Sequence, residues 1–359
     1  MADTSWNRMW DAFHTALERE GEDREDYLRA EFGDDPEQLA ELRALLRAHD
    51  DASVGGVDHP AQAIEDLRRL DPNNLIGESI GNYVIRELIG EGGMGLVYAA
   101  EQSQPIKRRV ALKIIKVGMD TRDVIARFES ERQALALMDH PNIARILDAG
   151  ATQDGRPFFV MDHVPGVAIT EFADQTKMNL AARLRLFLDV CDGVHHAHQK
   201  GIIHRDLKPS NILVNSTDGR PSVKIIDFGV AKTLTQKLAE GTVYTKLGHF
   251  IGTPRYMSPE QAEMGALGVD TRSDIYSLGV ILFELLTGRT PIERDAFSDP
   301  GTGSVADVIR TSEIPRPSTV FRDTDGVTQL AAQNRSTEAT EIRRYLGADL
   351  DWIVLKALA

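Results

Sequence analysis

Apolar side chains change their spacing along this chain, and the changes divide it into segments. Between residues 5 and 50 they recur every three to four positions: Trp6, Met9, Trp10, Phe13 and Leu17, then Leu39, Leu42, Leu45 and Leu46. That spacing predicts amphipathic helices. Gly33-Asp34-Asp35-Pro36 separates the two groups, with Pro36 suited to the first turn of the next helix. The reading for residues 1–50 is a small helical hairpin or three-helix unit. Residues 51–79, which open on Asp51-Ala52-Ser53-Val54-Gly55-Gly56, predict a linker with one short helix around Ile64 to Leu70.

From Tyr83 the pattern shortens. Tyr83-Val84-Ile85 and Leu96-Val97-Tyr98 flank a glycine cluster, as two strands joined by a turn. Val110 to Ile115 predicts a third strand and Phe158 to Met161 another, with an amphipathic helix from Asp123 to Met138 between them. From Leu180 onward helical periodicity dominates. The most apolar strip, Leu278 to Leu286, falls short of the ~18 residues of a membrane span and reads as a buried helix. Strands followed by helices predict an α+β domain in two lobes.

Charge sharpens the division. Residues 1–70 hold 18 acidic and 8 basic side chains, so they carry −10 of the chain's −14. The acidic character belongs to the helical extension, and it makes nucleic acid a poor partner. A single cysteine, Cys191, excludes an intrachain disulfide framework and fits a reducing compartment. It lies in a helix-periodic stretch and reads as a small buried core residue. The N-terminal Met-Ala-Asp-Thr-Ser-Trp has neither the basic nor the apolar region of a signal peptide. A cytoplasmic protein is expected, with no membrane segment in this chain.

The chemistry concentrates in His204-Arg205-Asp206-Leu207-Lys208-Pro209-Ser210-Asn211 and in Asp227-Phe228-Gly229. The first strip supplies a carboxylate to accept a hydroxyl proton, a lysine to neutralise a migrating phosphoryl group, and an amide. With the second Asp, that amide offers hard oxygen ligands for magnesium. Upstream, Gly90-Glu91-Gly92-Gly93-Met94-Gly95-Leu96-Val97 is a G-x-G-x-x-G-x-V-like loop, whose glycines let backbone amides close over phosphates. A dinucleotide site would need a helix directly after such a loop, and here a strand follows. Lys113 sits in an otherwise apolar strand, a costly place unless it is paired. His195, His196 and His198 are metal-ligating types, but no further ligands accompany them and they read as helix residues.

Together these motifs resemble the catalytic core of protein kinases, in particular the bacterial members of the eukaryotic-like serine/threonine protein kinases. The resemblance spans residues 80–359, with a small antiparallel β-sheet lobe carrying one helix at about 80–161 and a larger helical lobe at about 165–359. It implies a non-specific serine/threonine protein kinase that uses ATP and Mg²⁺, or Mn²⁺ in its place. Protein substrates bearing Ser or Thr are the expected partners, and activation through dimers is known in the family. Asp206 would accept or orient the substrate hydroxyl proton, Lys208 would stabilise the γ-phosphoryl, and Asn211 and Asp227 would hold the metal. Lys113 would pair with the phosphates and with a helix glutamate, Glu131 in preference to Glu129. Gly90, Gly92, Gly93 and Gly95 would cover the phosphates. Val97, Ala111 and Leu213 would sandwich adenine. Met161 would be the gatekeeper, followed by backbone contacts at Asp162 and Val164. Asp274 would anchor the catalytic loop from a buried helix.

The D-L-K-P-x-N order and Thr253 are traits of the serine/threonine branch. Ser258 stands where the family's A-P-E segment has alanine. Phosphorylation of Thr242 or Thr245 would order the long loop after Asp227 against Arg205 and Lys232. One departure concerns the end of the chain. No arginine follows to pair with Glu260, so the last helices of the large lobe are expected to be missing and Glu260 to be partly buried and unpaired, at a cost of roughly 3–5 kcal/mol. Two rival readings stand beside the kinase. A catalytically weak or inactive kinase-fold scaffold predicts damage to Lys113, Asp206, Asn211 or Asp227, and all four are intact. A small-molecule phosphotransferase would not need the Gly252-to-Glu260 segment.

Overall fold

The computed structural model describes residues 21–32 with scattered positions between 12 and 46. It then describes residues 75–92, 95–115, 138–153, 155–217, 219–228, 254–264, 270–297, 304–321, 326–347 and 349–359. The chain divides into two compact units, Met1–Asn74 and Leu75–Ala359. In the first, helix α1 (Gly21–Phe32) buries Leu28 and Phe32, one turn apart, against Ala12, Ala16, Leu42 and Leu46. Its apolar positions are too sparse to stand out in the sequence. The remaining helical positions predicted for residues 5–50, and residues 51–74 with their short helix, lie outside the described residues.

The second unit opens with a six-stranded sheet: β1 (Ser79–Ile80), β2 (Tyr83–Gly92), β3 (Gly95–Gln102), β4 (Arg108–Ile115), β5 (Ile146–Ala151) and β6 (Pro157–Asp162). The spatial order is β1-β2-β3-β4-β6-β5, and each named pair is antiparallel. The pleat sends alternate side chains to opposite faces. Val110, Leu112 and Ile114 of β4 join Ile85, Tyr98 and Val160 in one apolar cluster. Ala111 joins Val97, Ala149, Phe159 and Met161 in another. The helix predicted from Asp123 lies outside the described residues, apart from Met138.

A second small sheet pairs β7 (Val167–Ala168), β8 (Ile212–Thr217) and β9 (Arg220–Ile225) in that order. Between β7 and β8 run α2 (Ile169–Gln175) and α3 (Leu180–Gln199). The β8–β9 hairpin interrupts a region whose sequence reads as dominated by helices. Helix α3 starts where the Asn179 side chain accepts from the Ala182 N–H at 2.9 Å. It buries Leu186, Val190, Val194 and Ala197 on one stripe. Cys191, off that stripe, is half-buried rather than buried, and burial pushes its thiol pKa up to about 11.

The remaining helices are α4 (Pro259–Met264), α5 (Thr271–Thr287), α6 (Val305–Thr311), α7 (Pro317–Val320), α8 (Gly326–Asn334), α9 (Ala339–Leu346) and α10 (Asp349–Ala357). Helix α5 contains the apolar strip read as a buried helix and is enclosed nearly all round. Among the described residues no helix is long and apolar enough to cross a membrane.

A helix so enclosed must satisfy its last carbonyls without water. Gly288 caps it in the left-handed conformation at φ +84. Two buried arginines do the rest. Arg335 donates to the carbonyls of Leu286 at 2.7 Å, Leu285 at 2.9 Å, Glu284 at 3.2 Å and Ala331 at 2.7 Å. Arg183 reaches Leu285 O at 3.4 Å and pairs with Asp174 at 2.7 Å. Burial, reinforced by the Arg183 charge, pushes the Arg335 pKa down to about 9. Arg335→Met removes the arginine donor from the Leu286 and Ala331 carbonyls, while Glu284 keeps the Gly288 N–H and Leu285 keeps Arg183. It should lower the free energy of unfolding by about 2 kcal/mol or more. Chemical denaturation at neutral pH measures it, and a loss below about 1 kcal/mol would remove Arg335 from this role.

Candidate active site

Strand period decides where Lys113 points. It lies two residues after Ala111, so it shares the face that carries Val97 and Met161 rather than the face in the sheet's core. A lysine on such a face needs a counter-charge, and its Nζ stands 2.8 Å from Asp227 Oδ1. Asp227 adopts φ +59, a left-handed conformation uncommon for a residue with a Cβ.

The loop between α3 and β8 is held by α5. Asp274, in the first turn of α5 and 1 % exposed, accepts from the backbone N–H of His204 at 2.8 Å and of Arg205 at 2.9 Å. The Asp274 carboxylate also meets His198 Nε2 at 2.7 Å. His204 is fully buried, its ring against Phe228 with centroids 4.7 Å apart and its Nε2 3.0 Å from the Ile226 carbonyl. Burial pushes the His204 pKa down, partly opposed by the Asp274 carboxylate. Arg205 has φ +64. Beyond it, Asp206 Oδ2 lies 3.0 Å from Lys208 Nζ, and Asn211 Nδ2 donates to the Asp206 carbonyl at 2.8 Å. The Asp206 carbonyl can only accept, so Asn211 turns its nitrogen to the loop and keeps Oδ1 for another partner.

These side chains converge on one cavity of about 620 Å³. Gly90, Gly95, Val97, Ala111, Lys113, Met161, Asp162, Val164, Asp206, Lys208, Asn211, Leu213 and Asp227 all line it. Gly92 ends β2, and Arg205 lies beside the lining residue Asp206. Gly93, Glu129, Glu131, Lys232, Thr242, Thr245 and Thr253 lie outside the described residues. A Cβ on Gly95 would run into the Ile114 carbonyl, so glycine lets β3 pass close against β4 there. Asp162 commits its N–H to the Arg145 carbonyl at 3.0 Å and its carboxylate to the Arg145 side chain at 3.2 Å, leaving at most its own carbonyl for a ligand. The sequence reading did not single out Ile89, His163, Ser210 and Ile226, which also line the cavity. Each neighbours a motif residue, and that adjacency is the only signal they carry.

Glu260 corrects an expectation. Its carboxylate accepts a short hydrogen bond from the Ser273 hydroxyl, so it is not unpaired. The histidines also have local roles: His195 meets Gln199 Nε2 at 2.9 Å, and the rings of His196 and His140 lie 5.1 Å apart.

Apolar walls suited to a flat base, two lysines, and the hard oxygens of Asp227 and Asn211 together fit a nucleoside triphosphate with a divalent cation. The protein kinase domain family matches residues 83–344, and the chain belongs to that family. It is similar to the serine/threonine-protein kinase Pkn1 of Myxococcus xanthus, at 37% identity over 284 residues, covering 79% of this chain and 38% of that protein. Serine/threonine-protein kinase PknB of Mycobacterium tuberculosis is 35% identical over 284 residues, covering 77% and 39%. PrkC of Bacillus subtilis is 38% identical over 225 residues, covering 62% and 33%. The chain thus spans about a third to two fifths of the length of these relatives. The crystal structure of the M. tuberculosis PknI kinase domain matches with a TM-score of 0.50 at 24% identity, over 75% of this chain and 96% of that one, and shows the shared fold.

Burial of a neutral His204 sets a pH dependence. A base whose pKa is lowered on folding binds fewer protons folded than unfolded, so stability rises with pH between the two values. The stabilisation is complete above the unfolded pKa of about 6.5 and is lost as pH falls toward the folded value. His140 and His163, also pushed down by burial, act with the same sign. Denaturation between pH 8 and pH 5 should show stability declining below about 6.5. The slope should be shallower, by up to one proton, in His204→Phe. Equal slopes in the two proteins would contradict a neutral buried imidazole.

Proposed function

We propose that this chain transfers the γ-phosphoryl group of ATP to serine and threonine hydroxyls of proteins. The observation that carries the reading is the convergence of Lys113, Asp206, Lys208, Asn211 and Asp227 on one cavity, from three separate places in the sequence: β4, the loop before β8, and the segment just after β9. Asp206 is the group that accepts or orients the proton of the attacking hydroxyl. Lys208, 3.0 Å from it, places a positive charge where the transferring group gathers negative charge. Lys113 holds a second positive charge at the cavity wall beside Asp227. Asp227 and Asn211 Oδ1 would hold Mg²⁺, or Mn²⁺ in its place. When bound, the cation neutralises phosphate oxygens and orients them for in-line transfer. The apolar side chains of Val97, Ala111 and Leu213 exclude water from the base. The Asp206-Leu207-Lys208-Pro209 order and the serine/threonine kinases among the relatives support Ser/Thr over Tyr as acceptor.

Autophosphorylation of the threonine-rich segment between Asp227 and Glu260 belongs to the same proposal, on the sequence alone. So do a cytoplasmic location, protein rather than nucleic-acid partners, and a dimer of kinase domains. The test is incorporation of labelled phosphate from ATP with magnesium, into the chain itself and into a basic protein substrate. Asp206→Asn should cut incorporation on Ser and Thr at least about 100-fold. It should leave ATP binding intact, because the base is held by the apolar walls of Val97, Ala111 and Leu213 and not by the Asp206 carboxylate. Undiminished incorporation in the variant would contradict the assignment.

A further inference from the structure

The turn that opens α4 follows a Ser-x-x-Gln capping pattern. The Ser258 N–H and hydroxyl both donate to Gln261 Oε1, at 3.1 and 3.3 Å, and the Gln261 N–H points back to Ser258 Oγ at 3.4 Å. Capping needs only one end of the carboxamide. The other end, Nε2, donates to the Arg205 carbonyl at 3.0 Å, across 56 residues of sequence. The amide's orientation is fixed by its partners, because a backbone N–H can only donate and a carbonyl can only accept.

The Arg205 carbonyl belongs to the peptide that joins Arg205 to Asp206. The N–H of that peptide points to His204 Nδ1 at 3.3 Å, so both sides of the plane are held. The N–H of Arg205 is held in turn by Asp274 at 2.9 Å. Arg205 is at φ +64, and a left-handed conformation with a Cβ persists where surrounding contacts over-determine it. If the plane turns, the next side chain, the Asp206 carboxylate, points elsewhere.

We propose that Gln261 is a positioning residue for phosphoryl transfer. Its carboxamide ties the start of α4 to the Arg205–Asp206 peptide and thereby fixes the aim of Asp206. The inference rests on the kinase reading of the same site. None of the groups bonded to Gln261 lines the apolar part of the cavity, so its loss should act on turnover and not on nucleotide affinity.

Gln261→Glu separates the two ends of the side chain. It is nearly isosteric and keeps an acceptor for Ser258, but it faces an oxygen to the Arg205 carbonyl. Gln261→Met keeps the length and removes both polar ends, and carries the test should the glutamate fail to fold. Both are assayed in the full chain on a Ser/Thr peptide with ATP and magnesium. Alongside, ATP affinity is titrated and the melting temperature is recorded. The expected result is a fall in kcat of about tenfold or more. ATP affinity should stay within about twofold, and the Glu variant should melt like the parent. A kcat within about twofold of the parent overturns the positioning role, and so does a fall that tracks lost ATP affinity. A parent chain that binds ATP and transfers nothing overturns the proposed function itself, an outcome distinct from a fully active Gln261→Glu.

Discussion

One buried carboxylate sets the geometry on which the site depends. Asp274 is 1 % exposed and sits in the first turn of α5, where the helix dipole favours negative charge. It accepts two successive backbone N–H groups, those of His204 and Arg205, and meets His198 at the end of α3. A buried carboxylate is tolerated where several donors surround it. Here the donors are the loop that carries Asp206 and Lys208, so satisfying the charge and shaping the loop are the same event. Arg205 at φ +64 shows the consequence, a conformation held by contacts on both sides of the residue.

Around that anchor the two parts of the site arrive by different routes. The small sheet offers a face, and strand alternation puts Ala111 and Lys113 on it while Val110, Leu112 and Ile114 bury themselves on the other. The helical part offers a loop, raised on α5 and closed by the β8–β9 hairpin. Asp227 joins the two through its 2.8 Å contact with Lys113. Helix α5 can be so thoroughly enclosed because Arg335 and Arg183 satisfy carbonyls at its C-terminal end.

Much of the site could be read from the sequence, because phosphoryl transfer requires particular residue types at fixed spacing. Asp206, Lys208, Asn211 and Asp227 stand out for that reason, and Lys113 does because a lysine in an apolar strand is conspicuous. Features that depend on distant meetings could not be read. Arg183 and Arg335 look like surface residues of polar helix positions until α5 is placed against them. Gln261 gives no sign in the sequence of its bond to Arg205, which exists only once the fold brings the two together. The sequence offers Glu260 no arginine, and only the fold brings a serine hydroxyl on α5 to it. The hairpin of β8 and β9 escaped notice because its strands are short and follow a strongly helical stretch. Helix α1 falls within the span read as helical, although few apolar positions of its own mark its bounds.

If Asp274 organises the loop, its two backbone donors should be among the most protected amides in the molecule. Native-state hydrogen exchange, resolved by NMR, measures this at His204 and Arg205 directly. The account predicts exchange only through global unfolding in the parent. In Asp274→Ala, these two amides should exchange orders of magnitude faster while the core of α5 stays protected. Rapid exchange at His204 and Arg205 in the parent protein, or unchanged protection in the variant, would contradict it.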